Sequence, residues 1–121
     1  VCSGTTGHAE ALEVEFDPSQ VSFPTLVEFF LRIHDASDIN GQGPDRGTQY
    51  RSGVYFTSEE QHQQALQVLD QVGRDHYGPA GLTIATELVP AQKFWTAEEY
   101  HQRYLVKNPG GYECPTHYMR W

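Results

Sequence analysis

Tyr50-Arg51-Ser52-Gly53-Val54-Tyr55-Phe56-Thr57-Ser58-Glu59-Glu60-Gln61 decides the fold. Its first half places Val54 and Phe56 on one parity, the period of a strand with one buried face. Its second half opens a helix, because Ser58 followed three residues later by Gln61 is a capping box. Ala65, Val68, Leu69 and Val72 then recur at helical spacing as a buried stripe, with Gly73 placed to close it. A strand that runs straight into an amphipathic helix makes this a mixed strand-and-helix chain.

The same alternation extends in both directions. Upstream, Ala36 to Thr48 has three Gly, one Pro and almost no apolar side chain, so it reads as an exposed loop held by turn chemistry. Before it, Ser22 caps a helix with Leu26, Phe29, Phe30 and Ile33 on one face, ending near His34-Asp35. Residues 9 to 17 alternate, with Leu12, Val14 and Phe16 against Glu13, Glu15 and Asp17, which predicts a half-buried strand. Downstream, Leu82 to Pro90 predicts a third strand. Thr96 and Glu99 form a second capping box for a helix carrying Ala97, Tyr100 and Tyr104, and Asn108-Pro109-Gly110-Gly111 breaks it. The aromatic tail Tyr112 to Trp121 reads as a strap across the domain. Three strands for at least three helices make a small sheet, so a further element is expected to complete it.

The chain has 121 residues with eight basic and sixteen acidic side chains, a formal charge of -8. That is the length of a single domain. With no cluster of Lys and Arg, the electrostatic attraction behind nonspecific nucleic-acid binding is missing, and nucleic acids and anionic membranes are poor partners. No apolar run approaches the ~20 residues of a membrane helix, and no secretory signal pattern opens the chain, so a cytoplasmic monomer is expected. Two cysteines, Cys2 and Cys114, are too few for a disulfide scaffold or a zinc site, and six dispersed histidines give no metal-binding pair.

Glu10 shares parity with Leu12, Val14 and Phe16. A carboxyl at the end of an apolar row either points inward, where burial favours its protonated form and lets it donate near neutral pH, or sits in water at the strand mouth. Tyr50 shares parity with Val54 and Phe56, and its hydroxyl would project near Glu10 or remain wet. Asp45 either receives an amide or orders its turn, through Arg46 or nearby backbone. Gly41 to Gly47 lacks the Gly-Lys-Ser/Thr ending of a phosphate loop, which excludes nucleotide binding there. Cys114 follows Gly110-Gly111-Tyr112, a setting for a travelling thiol as well as for an inert one.

Four ordered segments, Cys2-Ser3-Gly4-Thr5-Thr6-Gly7-His8-Ala9-Glu10, Asp45-Arg46-Gly47-Thr48-Gln49-Tyr50-Arg51-Ser52, Glu98-Glu99-Tyr100-His101-Gln102 and Asn108-Pro109-Gly110-Gly111-Tyr112, resemble the peptide-methionine (S)-sulfoxide reductase family, MsrA, along the whole chain. The resemblance implies an α+β two-layer sandwich related to the ferredoxin-like fold, and thiol-dependent reduction of methionine-S-sulfoxide, free or protein-bound. It implies that Glu10, with Tyr50 and Asp45, holds and protonates the sulfoxide oxygen. It also implies that Cys114 is the resolving thiol, that thioredoxin is the external reductant, and that no inserted cofactor takes part.

The family's nucleophile lies in a Gly-Cys-Phe-Trp motif that residues 1–121 do not contain. The expectation is therefore the C-terminal portion of a reductase domain, lacking an N-terminal strand-helix-strand and inactive by itself, with two sheet neighbours deprived of a ladder partner. Two other readings are a non-catalytic homologue that binds oxidised methionine, and a chain in which Cys2 replaces the nucleophile and pairs with Cys114.

Overall fold

The computed structural model describes residues 8–92, 94, 98–110, 112, 115, 116 and 118–121, without the side chains of 101 and 104. The chain folds into helices packed on small sheets. Helix α1, Phe23–Arg32, starts at Ser22, whose hydroxyl accepts from the Thr25 N–H, with Pro24 in the first turn where no N–H partner is needed. A two-residue hairpin follows, β1 Gly41–Gln42 against β2 Asp45–Arg46, and a 3-10 turn over Thr48–Tyr50. Strand β3, Gly53–Phe56, leads into α2, Glu59–Val72. A π turn Gly73–Tyr77 and a 3-10 turn Gly78–Ala80 then carry the chain back to β4, Glu87–Pro90. A 3-10 turn Glu99–His101 and the short helix α3, Tyr104–Lys107, precede the tail.

β3 and β4 pair in parallel, Gly53 opposite Glu87 through Phe56 opposite Pro90, so β3, α2 and β4 form a βαβ unit. The ladder is extended at both ends by Glu87 N–H to Ser52 O at 3.0 Å and Ala91 N–H to Phe56 O at 2.7 Å. α1 packs on α2 over a core of Val27, Leu31, Ala36, Val54, Ala65, Val72 and Tyr77. A polar seam runs beside it. His34 is buried, with Nδ1 2.6 Å from Phe30 O and Nε2 2.7 Å from Ser52 Oγ, which lies 2.7 Å from Thr86 Oγ1. A carbonyl only accepts, so Nδ1 carries the proton, and the seam joins the end of α1 to β3 and to the approach to β4.

Several expectations change. Residues 9–17 form no strand, and Leu12 is 86% and Val14 53% exposed. Alternation alone does not make a strand without a neighbour that supplies a ladder of backbone partners. On α1 the buried pair is Val27 and Leu31, and Phe29 is exposed, because apolar residues surround most of this helix. Gly73 caps α2, as its place predicts, but without the usual left-handed turn. It stays right-handed at φ -58, and the chain turns into the left-handed region only at Gly81, which lets Tyr77 reach the core. The loop from Ala36 is not wholly exposed, since Ala36, Gly41 and Gln42 are buried around the hairpin. Thr96 and Ala97 lie outside the described residues, and Tyr100 is exposed. The tail does cross the domain: Arg120 N–H donates to Arg32 O at 3.0 Å, and Trp121 stacks on His76 with centroids 4.0 Å apart.

Candidate functional site

The Gly41–Tyr50 segment carries two of the candidate residues, and local chemistry shapes it. Gly43 sits at φ +54 in the two-residue turn of the hairpin, where positive φ suits glycine. Asp38 ties the turn down: its carboxylate accepts from Gly43 N–H at 3.0 Å and from Arg46 Nη1 at 2.6 Å. The Arg46 bond holds the Asp38 carboxyl below the usual carboxylate range. Arg46 also donates to Ile39 O at 2.9 Å. Arg46 therefore belongs to Asp38, and Asp45 on β2 is left to other partners.

Gly47, at φ +129, redirects the chain into the 3-10 turn, and a Cβ there would collide with the Gln49 side chain. Tyr50 closes that turn through its N–H to Gly47 O at 3.0 Å. Tyr50 is thus the last residue of a turn rather than the first of a strand, so parity with Val54 and Phe56 does not set its direction; it is half-buried. Arg51 fixes the exit, with Nη1 donating to Thr48 O at 2.7 Å and Nε to Glu87 Oε1 at 2.9 Å.

Glu10 comes to this turn by its backbone. Its N–H donates to Gln49 O at 2.8 Å, which places Glu10 beside the residue that precedes Tyr50. The Glu10 side chain is exposed, so the inward, apolar setting expected from parity is not found. The water-facing alternative describes it better, because Leu12 and Val14, the members of its apolar row next to it, are themselves exposed. Asp45 is half-buried and accepts from the Tyr112 hydroxyl, 3.0 Å from Oδ1 and 3.0 Å from Oδ2. Cys2 and Cys114 lie outside the described residues.

Sequence reasoning missed Asp38 and Tyr112. Asp38 stands five residues before Gly43, a short-range turn signal open to notice, whereas nothing local pairs Tyr112 with Asp45. A hollow of about 300 Å³ lies where β3 and β4 end, lined by Phe56, Thr57, Ser58, Glu59, Pro90 and Ala91, and none of Glu10, Asp45 or Tyr50 borders it. We place the site at the Asp45–Tyr50 turn, because that turn gathers proton donors and a carboxylate while the hollow offers one carboxylate and mostly apolar walls. Among the described residues no group of three His, Cys, Asp or Glu could hold a metal ion, and no helix is long and apolar enough to cross a membrane.

A mixed α/β fold in which one glycine-hinged turn carries an aspartate and a tyrosine, and takes a backbone bond from a glutamate, defines a small α/β protein with a polar candidate site. The chain belongs to the peptide methionine sulfoxide reductase family, whose profile matches residues 1–120. It is 48% identical over 121 residues to a Schizosaccharomyces pombe protein named "probable peptide methionine sulfoxide reductase", covering 100% of this chain and 70% of that one. The crystal structure of Mxr1 from Saccharomyces cerevisiae in reduced form superposes with a TM-score of 0.91 at 44% identity, covering 99% of this chain and 64% of Mxr1. Methionine sulfoxide reductase A of Corynebacterium diphtheriae gives a TM-score of 0.85 at 40% identity, covering 99% and 60%. The chain thus spans about two thirds of the length of the relatives it matches.

Proposed function

We propose that this protein reduces methionine-S-sulfoxide, free or within proteins, to methionine by thiol chemistry, and that residues 1–121 carry the oxygen side of the site and the resolving cysteine. The observation that supports this most is the hydrogen bond from Glu10 N–H to Gln49 O, which holds Glu10 against the turn that ends in Tyr50. Glu10, as the acid, protonates the sulfoxide oxygen as its bond to sulfur breaks, with the Tyr50 hydroxyl as second donor. Asp45, when ionised, only accepts, which suits an amide N–H of the bound methionine. A cysteine thiolate attacks the sulfur, methionine leaves, and the resulting sulfenic acid condenses with the Cys114 thiol to a disulfide and water. Thioredoxin returns two electrons by exchange with that disulfide, so the cycle uses no inserted cofactor, and a cytoplasmic monomer fits it.

The attacking thiol belongs, in this reading, to a Gly-Cys-Phe-Trp segment supplied by polypeptide other than residues 1–121, whose strand-helix-strand completes one ferredoxin-related reductase domain. The exposed Leu12 and Val14 side chains support this, as an alternating segment whose apolar row is uncovered gains by pairing. The chain joined in cis to such a segment is expected to reduce the S epimer with thioredoxin, and Glu10→Gln to lower kcat about 100-fold, the lower range for a lost general acid. Turnover by residues 1–121 unaided, or a full rate in Glu10→Gln, overturns the corresponding part of the reading.

A further inference from the structure

We infer that Tyr112 is a positioning residue, a latch that docks the C-terminal tail on Asp45 and competes there with the amide of the substrate; this rests on the reading above for the substrate's identity. The Tyr112 hydroxyl stands 3.0 Å from both Asp45 oxygens, so its single hydrogen is shared between them, on the bisector of the carboxylate. That is also where an amide donor engages both oxygens. A second attachment lies four residues on. Thr116 Oγ1 donates to Gln42 Oε1 at 3.2 Å, and the Thr116 methyl fills the space that a side chain at Gly43 would need. Gln42 is 8% exposed and cannot turn away, because its amide is paired with the backbone of Asp35, N–H to Oε1 at 2.9 Å and Nε2 to C=O at 2.7 Å.

Tyr112 and Thr116 therefore both tie the tail to the hairpin, and they stand two positions either side of Cys114 in the sequence. Thr116 grips a fixed, buried amide. Tyr112 grips a group that the substrate also needs, so substrate binding releases that attachment, and the coupling is reciprocal: whatever weakens the latch strengthens binding. A substrate that lacks an amide N–H has no claim on Asp45 and is indifferent to the latch.

The test compares wild type, Tyr112→Phe, Asp45→Asn and the double variant in the intact protein. Tyr112→Phe is expected to lower KM for N-acetyl-methionine-S-sulfoxide methylamide about fivefold, the lower range for coupling between two ligands of one site. KM for dimethyl sulfoxide, which has no amide, stays unchanged. A second reading needs no turnover: alkylation of Cys114 by a maleimide speeds up severalfold in Tyr112→Phe, and equally in Asp45→Asn, with no further gain in the double variant. Equal alkylation in wild type and Tyr112→Phe, or additive effects of the two substitutions, refutes the latch. A KM change that is the same for both sulfoxides refutes the competition. If no sulfoxide is reduced, the proposed activity fails, and the latch still stands or falls on alkylation.

Discussion

Tyr77 joins three parts of the chain through one side chain. Its ring is buried in the core and meets Trp121 edge-on at 6.2 Å, while its hydroxyl oxygen accepts from Ala36 N–H at 3.1 Å. Burial pushes the phenol above its ordinary value, and the Ala36 bond pulls partly the other way. A raised value means that the fold holds the neutral form. The associated stability is fully present below the unfolded value of about 10 and fades as pH rises through the higher folded one. Tyr77→Phe leaves the buried Ala36 N–H without its acceptor, which is expected to cost about 1 to 3 kcal/mol at neutral pH. The variant also has no phenol to ionise. Melting curves at pH 7 should therefore separate the two proteins, and above about pH 10 the gap should narrow. A gap that widens with pH would contradict the assignment. Tyr77 escapes sequence reasoning because a glycine after a helical stripe reads as a full stop, whereas Gly73 caps α2 in right-handed form and the chain winds on through the π turn that carries Tyr77.

Short-range chemistry was the most legible in the sequence, and α2 shows why. Ser58 accepts from Gln61 N–H at 3.2 Å, as its spacing predicts, and Gln61 Oε1 reaches back to Thr57 N–H at 2.8 Å, one residue beyond the usual partner. Glu59 and Glu60 in the first turn favour the helix dipole. Ser58→Ala should cost about 1 kcal/mol, read as a lower urea midpoint with unchanged slope, and Ser58→Asp should recover most of it. The stripe of Ala65 and Val72 with Val68 and Leu69 was likewise readable, because one helix face suffices to define it. Residues 9–17 were not. Their alternation is real, but a strand is a property of two segments, and among the described residues only Glu10 finds a backbone partner across the site, at Gln49. At the site itself, Asp45 and Tyr50 were legible as a motif, and their bend was not, since it depends on Gly47 at φ +129. The Tyr112–Asp45 pair spans 67 residues and leaves no periodic trace.

The tail binds the molecule at two places with different consequences. Its far end belongs to the core: Arg120 N–H donates to Arg32 O at 3.0 Å, the Trp121 ring stacks on His76 at 4.0 Å, and the Arg32 guanidinium lies 5.7 Å from the Trp121 ring centroid. Its near end meets the hairpin, through Tyr112, which is 58% exposed, and Thr116. Removing apolar surface from the far end should lower global stability, whereas releasing the near end should change local opening alone. Trp121→Ala is expected to cost about 2 kcal/mol, below the range for a wholly buried Trp because this ring is half-buried. Tyr112→Phe should leave the urea midpoint within about 0.5 kcal/mol of wild type, as surface changes usually do. Hydrogen exchange distinguishes the two. Trp121→Ala should accelerate the slowest amides of α1 and α2 together, and Tyr112→Phe should accelerate only amides of the hairpin and tail. If Tyr112→Phe speeds exchange throughout α2, the near end is part of the cooperative core, and the division of the tail into a structural anchor and a releasable latch is wrong.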